Sequence, residues 1–142
     1  MVIRMLEKRD LAQLAILYKQ FWGDESNVQK MEEQFDIISH EGNHIILVCE
    51  INNAVVGSVM GIVCKELYGD CNPFLVVENM IVDKSSRHKG IGTLLLHELE
   101  RLAKERYCTQ MILVTENDRI DACNFYEKYG FSKNNKGYKK KL

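Results

Sequence analysis

The sequence predicts an α/β (α+β) fold, a single domain over residues 1–142 with elements in the order β-α-α-β-β-β-α-β-α-β-β. Three observations predict it. Apolar, β-prone runs of strand length sit between turn residues. Stretches with apolar residues three and four apart alternate with those runs, as amphipathic helices do. Of the 142 residues, 46% are apolar, which is enough for one core of ordinary size.

The elements follow in order. Val2 to Leu6 is short and β-prone. Asp10 offers an N-cap to a helix with Leu11, Leu14, Ala15, Leu17 and Tyr18 on one face, which should fail near Trp22-Gly23-Asp24. A weaker helical pattern runs from Val28 to Ser39 through Met31, Phe35 and Ile38. His44 to Ile51 is a strand, Asn52-Asn53 a turn, and Ala54 to Cys64 the return strand of a hairpin. Gly57 and Gly61 inside it point to a bulge or a close neighbour. Beyond a polar loop around Gly69 to Pro73, Phe74 to Val82 reads as a central, buried strand with two polar residues in its middle. The basic loop Lys84 to Lys89 opens into Gly90-Ile91-Gly92 and a helix to about Tyr107, with Ile91, Leu95, Leu99 and Leu102 on one face. Met111 to Thr115 is a strand, and Ile120 to Tyr129 a helix stopped by Gly130. Phe131 and the Tyr138 region would make two short closing strands.

Composition narrows the function classes. With 19 Lys+Arg against 20 Asp+Glu, the net charge of -1 gives no footing for nucleic-acid binding. The sum hides a split. Residues 1–83 carry 6 basic and 13 acidic side chains (-7), and residues 84–142 carry 13 and 7 (+6). Such a split fits one cationic and one anionic ligand, or chance. Five cysteines, an odd number without paired spacing, read as reduced thiols, and the four histidines form no metal-ligand pattern; no metal is expected. The charged N-terminus is no secretory signal, and no window approaches the ~20 apolar residues of a membrane span. A soluble, cytoplasmic protein without membrane attachment is expected.

The strongest local signal is Arg87-His88-Lys89-Gly90-Ile91-Gly92-Thr93, between a strand and a long helix. The first turn of a helix has unpaired N–H groups and a partial positive charge, and glycines let a ligand approach them. Arg87 and Lys89 add full charges, and the combination suits a pyrophosphate. A plain basic loop with glycines easing the chain into a helix is the alternative. A dinucleotide fingerprint is excluded because the position of its third glycine is Leu95. A Walker loop is excluded because the order is Lys89-Gly90, with no lysine before Thr93.

Arg-x-x-Gly-x-Gly at this place resembles the acetyl-CoA signature of the GNAT family of N-acetyltransferases. Asn124-Phe125-Tyr126-Glu127-Lys128-Tyr129-Gly130-Phe131 resembles the end of that family's last conserved helix. The resemblance implies a central, mixed, mostly antiparallel twisted sheet of about seven strands flanked by four helices. It also implies transfer of an acetyl group from acetyl-CoA to an amine of a small molecule or protein, in a ternary complex and without a metal. A non-catalytic acyl-CoA-binding or sensing module on the same fold is the alternative. A homodimer is compatible with either.

Roles carry over residue by residue. An amine near pKa ~10.4 must lose a proton before it attacks, and a carboxylate usually takes it. Glu78 stands mid-strand among apolar residues, where burial would be costly without a purpose. It is either the family's base or an ordinary strand residue bonded to a neighbour. The resemblance implies that a backbone N–H of Met80, Ile81 or Val82 meets the carbonyl oxygen, and that Arg87, His88, Lys89, Gly90, Ile91, Gly92 and Thr93 hold the pyrophosphate. Tyr126 matches the tyrosine that protonates the departing thiolate, although an aromatic on the face of Ala122 and Tyr129 also suits a core. Many members carry an asparagine seven residues before this tyrosine. Here that position is Arg119, so Asn117 or Arg119 would contact the cofactor instead. Trp22, Asp24, Glu25 and Tyr68 are candidates for an ammonium-bearing acceptor, or else surface and core-edge residues.

Overall fold

Two asparagines with positive φ, Asn52 (51°) and Asn53 (63°), close the central hairpin, because their short polar side chains tolerate the left-handed region that a two-residue turn requires. The computed structural model describes residues 1–142. Its strands are β1 (Val2–Met5), β2 (His44–Ile51), β3 (Ala54–Cys64), β4 (Phe74–Val82) and β5 (Met111–Ile112). Its helices are α1 (Leu11–Trp22), α2 (Val28–Glu41), α3 (Ile91–Glu105) and α4 (Ile120–Tyr129), with 3-10 turns at Lys8–Asp10 and Lys84–Ser86. The strands lie in the order β1-β2-β3-β4-β5, antiparallel except for the parallel β4–β5 pair. The expected α/β class is borne out. No helix is long and apolar enough to cross a membrane.

The chain divides into two compact units, Met1–Ile112 and Leu113–Leu142. In the first, β2 is buried along most of its length, with Ile45, Leu47, Val48 and Cys49 at 1% exposure or less. One face packs Leu6, Leu11, Leu14, Leu17, Ile46, Val48, Val55 and Ile81 together, with Phe35, Met31 and Ile38 of α2 against them. α3 buries Ile91, Leu95, Leu96, Leu99 and Ala103. Gly57 and Gly61 make room for it. A Cβ at Gly57 would stand 3.1 Å from Ile91 Cγ2, and one at Gly61 would stand 2.7 Å from Leu99 Cδ1. Both readings of those glycines hold, since a bulge lies between them at Ser58/Met60.

Arg4 of β1 ties the unit's edge together. It donates bidentately to Asp10 (2.6 and 2.9 Å) and through Nε to Glu50 of β2 (2.9 Å). Asp10 therefore takes the N-cap position of α1 without making a side-chain capping bond. It is 3% exposed, and its carboxylate takes Arg4 and the Glu7 N–H (2.8 Å) instead. α1 ends as expected, on Gly23 at φ 85°.

The sheet has five strands, not about seven. The two expected closing strands at Phe131 and Tyr138 do not form. Between them the chain is Ser-Lys-Asn-Asn-Lys-Gly, with no apolar alternation to bury. β5 keeps two of its five expected residues because it pairs only through Leu75↔Met111 and Val76↔Ile112. Val114, 63% exposed, has no packing to extend it. α3 stops at Glu105, two residues early, and Tyr107 adopts φ 61°. In the second unit α4 ends on Gly130, as expected.

Candidate active site

β4 is interrupted where its polar residues fall. Met60 of β3 pairs with Glu78 and Ser58 with Ile81, so Val59 alone faces Asn79 and Met80. Two residues against one make a β-bulge. Asn79 takes the left-handed conformation that permits it, at φ 51°. The bulge turns backbone N–H and C=O groups of this stretch out of the ladder. On the other side of β4, pairing with β5 ends at Val76. The edge from Val77 to Val82 thus has no strand partner on that side. Burial pushes the phenol of Tyr18 in α1 up to about 12, against a smaller opposing effect of the neighbouring Asn79 side chain.

Beyond Val82 the chain enters the cationic loop. The Asp83 N–H bonds to Val56 O (2.8 Å), which anchors the loop to β3. The Asp83 carboxylate accepts the Ser85 N–H (2.9 Å), the Ser85 hydroxyl (2.5 Å) and Gln20 Nε2 of α1 (2.7 Å). The Ser85 bond first, then Gln20, hold this carboxyl below its usual range. Arg87 Nε donates to Val82 O (3.1 Å) and Lys89 Nζ to Ser85 O (3.1 Å), so both side chains lie back along their own loop. His88 takes φ 62° and Gly90 φ 79°, the reversal that starts α3. The first backbone bond into the helix is Leu94 N–H to Gly90 O (3.0 Å). The N–H groups of Ile91, Gly92 and Thr93 precede it and form the positive end of the helix. The buried Ile91 side chain fixes that end on the sheet.

In the second unit, Asn117 lies exposed in the turn before α4, and Arg119 occupies the N-terminal cap position of that helix. The Arg119 N–H bonds to Glu116 O (3.1 Å) and its carbonyl accepts from Cys123 (3.0 Å). Tyr126 is half-buried, with ring contacts to Phe125 (5.2 Å) and Phe131 (5.7 Å, interplanar 78°). Its carbonyl accepts the N–H groups of Gly130 (3.1 Å) and Phe131 (3.0 Å). The Phe-Tyr-Glu-Lys-x-Gly-Phe signature thus closes a helix and stacks its aromatic residues on one another.

A family model described as Acetyltransferase (GNAT) family matches residues 11–131, from α1 through α4. The chain belongs to the GNAT family of acetyltransferases. Streptothricin acetyltransferase A of Bacillus subtilis is 32% identical to this GNAT chain over 80% of it, and the match spans 58% of that protein. A solved structure of a protein from Agrobacterium tumefaciens covers 100% of both chains at TM-score 0.93 and 22% identity. Glucosamine-6-phosphate N-acetyltransferase from Arabidopsis thaliana covers 99% of this chain and 97% of its own at TM-score 0.87 and 23% identity. At those identities the two structures speak for the fold alone.

The GNAT fold places the expected residues unevenly. Glu78, Met80, Ile81, Val82 and Arg87 to Thr93 lie along one strand–loop–helix segment. Glu78 is exposed, contrary to the expectation of a costly buried carboxylate, because Leu75 and Val77 face the core and alternation puts Glu78 on the opposite face of β4. Trp22 packs edge-on against Phe21 (4.6 Å) and Tyr18 (5.2 Å) while remaining 49% exposed. Asp24 is exposed, and Glu25 is ion-paired with Lys19 (2.6 Å). Tyr68 is 85% exposed in the β3–β4 loop. Sequence reasoning missed Asn79, Asp83 and Gln20. Asn79 had a signal, since asparagine is a poor strand former and a good left-handed residue. Gln20 had none, because its partner lies 63 positions away. No group of three or more His, Cys, Asp or Glu is placed to hold a metal.

Proposed function

We propose that this chain, working as one domain over residues 1–142, is an acetyl-CoA-dependent N-acetyltransferase acting on a primary amine. One observation carries the reading. A single segment, Glu78 to Thr93, joins a bulge on an open strand edge to a glycine-led helix N-terminus flanked by Arg87 and Lys89. The open edge offers amide partners to a pantetheine arm. The helix N-terminus with its loop cations offers partners to a pyrophosphate.

Acetyl-CoA supplies the acetyl thioester. Glu78, directly or through water, takes a proton from the acceptor ammonium, leaving an amine lone pair to form the C–N bond as the C–S bond breaks. The Met80 N–H, next to Asn79 at the bulge, meets the charge developing on the carbonyl oxygen, with Ile81 and Val82 continuing the edge. Tyr126 gives a proton to the departing sulfur, and the second nitrogen proton, released as the amide forms, passes through water to restore the phenol. Since a thiol has a pKa of only ~8.5, that help is modest. Asn117 and Arg119, before α4, serve the cofactor. The acceptor reaches Trp22, Asp24 and Tyr68, an aromatic and acidic set suited to a cation; Glu25 would first have to leave Lys19.

The test is release of free thiol from acetyl-CoA in the presence of polyamines, aminoglycosides, amino acids, peptide N-termini, streptothricin and glucosamine 6-phosphate. The last two are included because proteins named for them are among the relatives. Thiol release with at least one amine supports transfer. Stabilisation by acetyl-CoA without release by any amine recasts the chain as a binding module. A ligand at 100 times its Kd adds ~2.7 kcal/mol, so absence of any thermal shift removes acetyl-CoA altogether.

A further inference from the structure

We propose that Gln20 of α1 is a positioning residue for the phosphate loop: its side-chain amide holds the Asp83 carboxylate on the α1 side and so leaves the cations at 87 and 89 to an incoming pyrophosphate. The inference rests on the acetyl-CoA reading above.

An anion-binding loop that starts on a carboxylate contains a conflict. Asp83 is close enough to Arg87 for their charges to interact. A loose carboxylate there would repel a pyrophosphate and compete with it for the guanidinium. The structure gives each carboxylate oxygen another partner. Oδ1 takes the N–H and hydroxyl of Ser85 (2.9 and 2.5 Å), and Oδ2 takes Gln20 Nε2 (2.7 Å). The same amide accepts the Lys84 N–H at Oε1 (3.4 Å). One side chain from another element therefore holds both the carboxylate and the first backbone N–H of the loop. Arg87 donates to Val82 O instead (3.1 Å). Gln20 itself is half-buried and is not among the buried residues of α1, Leu11, Leu14, Ala15 and Leu17, so truncating it removes little packing.

Calorimetric titration of the full chain with acetyl-CoA, paired with melting curves, tests this. Gln20→Leu should weaken binding roughly 5- to 10-fold, the size of one lost hydrogen bond, with the melting temperature lowered by no more than about 5 °C. Gln20→Glu sets a second carboxylate against Asp83 and should weaken it further. Combining Gln20→Glu with Asp83→Asn reverses donor and acceptor, and should return affinity to within about twofold of wild type. A residue with only a fold-supporting role would not give that recovery at constant melting temperature. Wild-type binding with unchanged affinity in Gln20→Leu, or without recovery in the double variant, overturns the role of Gln20 alone. No binding by the wild type overturns the acetyl-CoA reading, and this inference with it.

Discussion

Two carboxylates on one guanidinium make stability depend on pH in a defined sense. Arg4 holds the Asp10 carboxyl below its ordinary value of 3.8, through its hydrogen bonds first and its charge second. Folding therefore gains from this group fully above that value, and the gain disappears as pH falls through the lower folded-state value. Asp10→Asn should cost about 2–3 kcal/mol at pH 7, below the range for a fully buried pair because Arg4 is partly exposed. In urea unfolding the gap between wild type and variant should narrow below about pH 4; a constant gap would mean that Asp10 acts through shape and not charge. Tyr126 has a different profile. Removal of its hydroxyl leaves the ring contacts to Phe125 and Phe131 in place. Tyr126→Phe should slow turnover about 10- to 100-fold while acetyl-CoA affinity stays as it was. An unchanged kcat removes Tyr126 from the mechanism.

At the level of elements, the seam between α3 and β3 is the place where a small change should be felt most. Leu99 and Leu75 are both fully buried, and a methyl at Gly61 would sit 2.7 Å from one and 3.1 Å from the other. Gly61→Ala should cost about 1–3 kcal/mol by overpacking. Combined with Leu99→Ala it should cost less than the two separate losses added, which denaturant midpoints can read. The same seam explains what was legible in the sequence. β2, β3, β4 and α4 begin and end where their apolar runs and turn residues place them, because Asn52-Asn53 and Gly130 enforce the ends locally. The cationic loop leading into α3 was legible for a similar reason, as its glycines and cations are contiguous. Asp10 takes the N-cap position as read but not the capping bond, because a cap and an ion-pair partner have the same local signature and Arg4's claim on it depends on the tertiary fold. The burial of Glu78 was misread because its strand was taken as buried on both faces, whereas Leu75 and Val77 face the core and Glu78 alternates to the other side. The closing strands were overcalled from two isolated aromatics, whose neighbours supply nothing to bury.

On the scale of the whole molecule, a net charge of -1 conceals halves of -7 and +6 that change over at Asp83, where β4 passes into the loop. The positive half contains Arg87, Lys89 and the N-terminus of α3. Its other charges are partly spent on local pairs, such as Arg101 with Glu98 and Glu105, Lys104 with Glu100, and Lys139 with Glu116. Arg87 and Lys89, by contrast, donate to neutral carbonyls, so their charge is not cancelled by a paired carboxylate in either bond. They are exposed, and the field they add should be felt within about 10 Å at 0.1 M salt and lost progressively above it. Replacing both by Ala should therefore raise the KM for acetyl-CoA about tenfold at roughly 50 mM salt, with kcat little altered. The ratio of variant to wild-type KM should shrink towards unity near 1 M salt, where the screening length is about 3 Å. A KM unchanged at low salt would return the charge split to chance, and an increase indifferent to salt would assign these side chains to shape and not to charge.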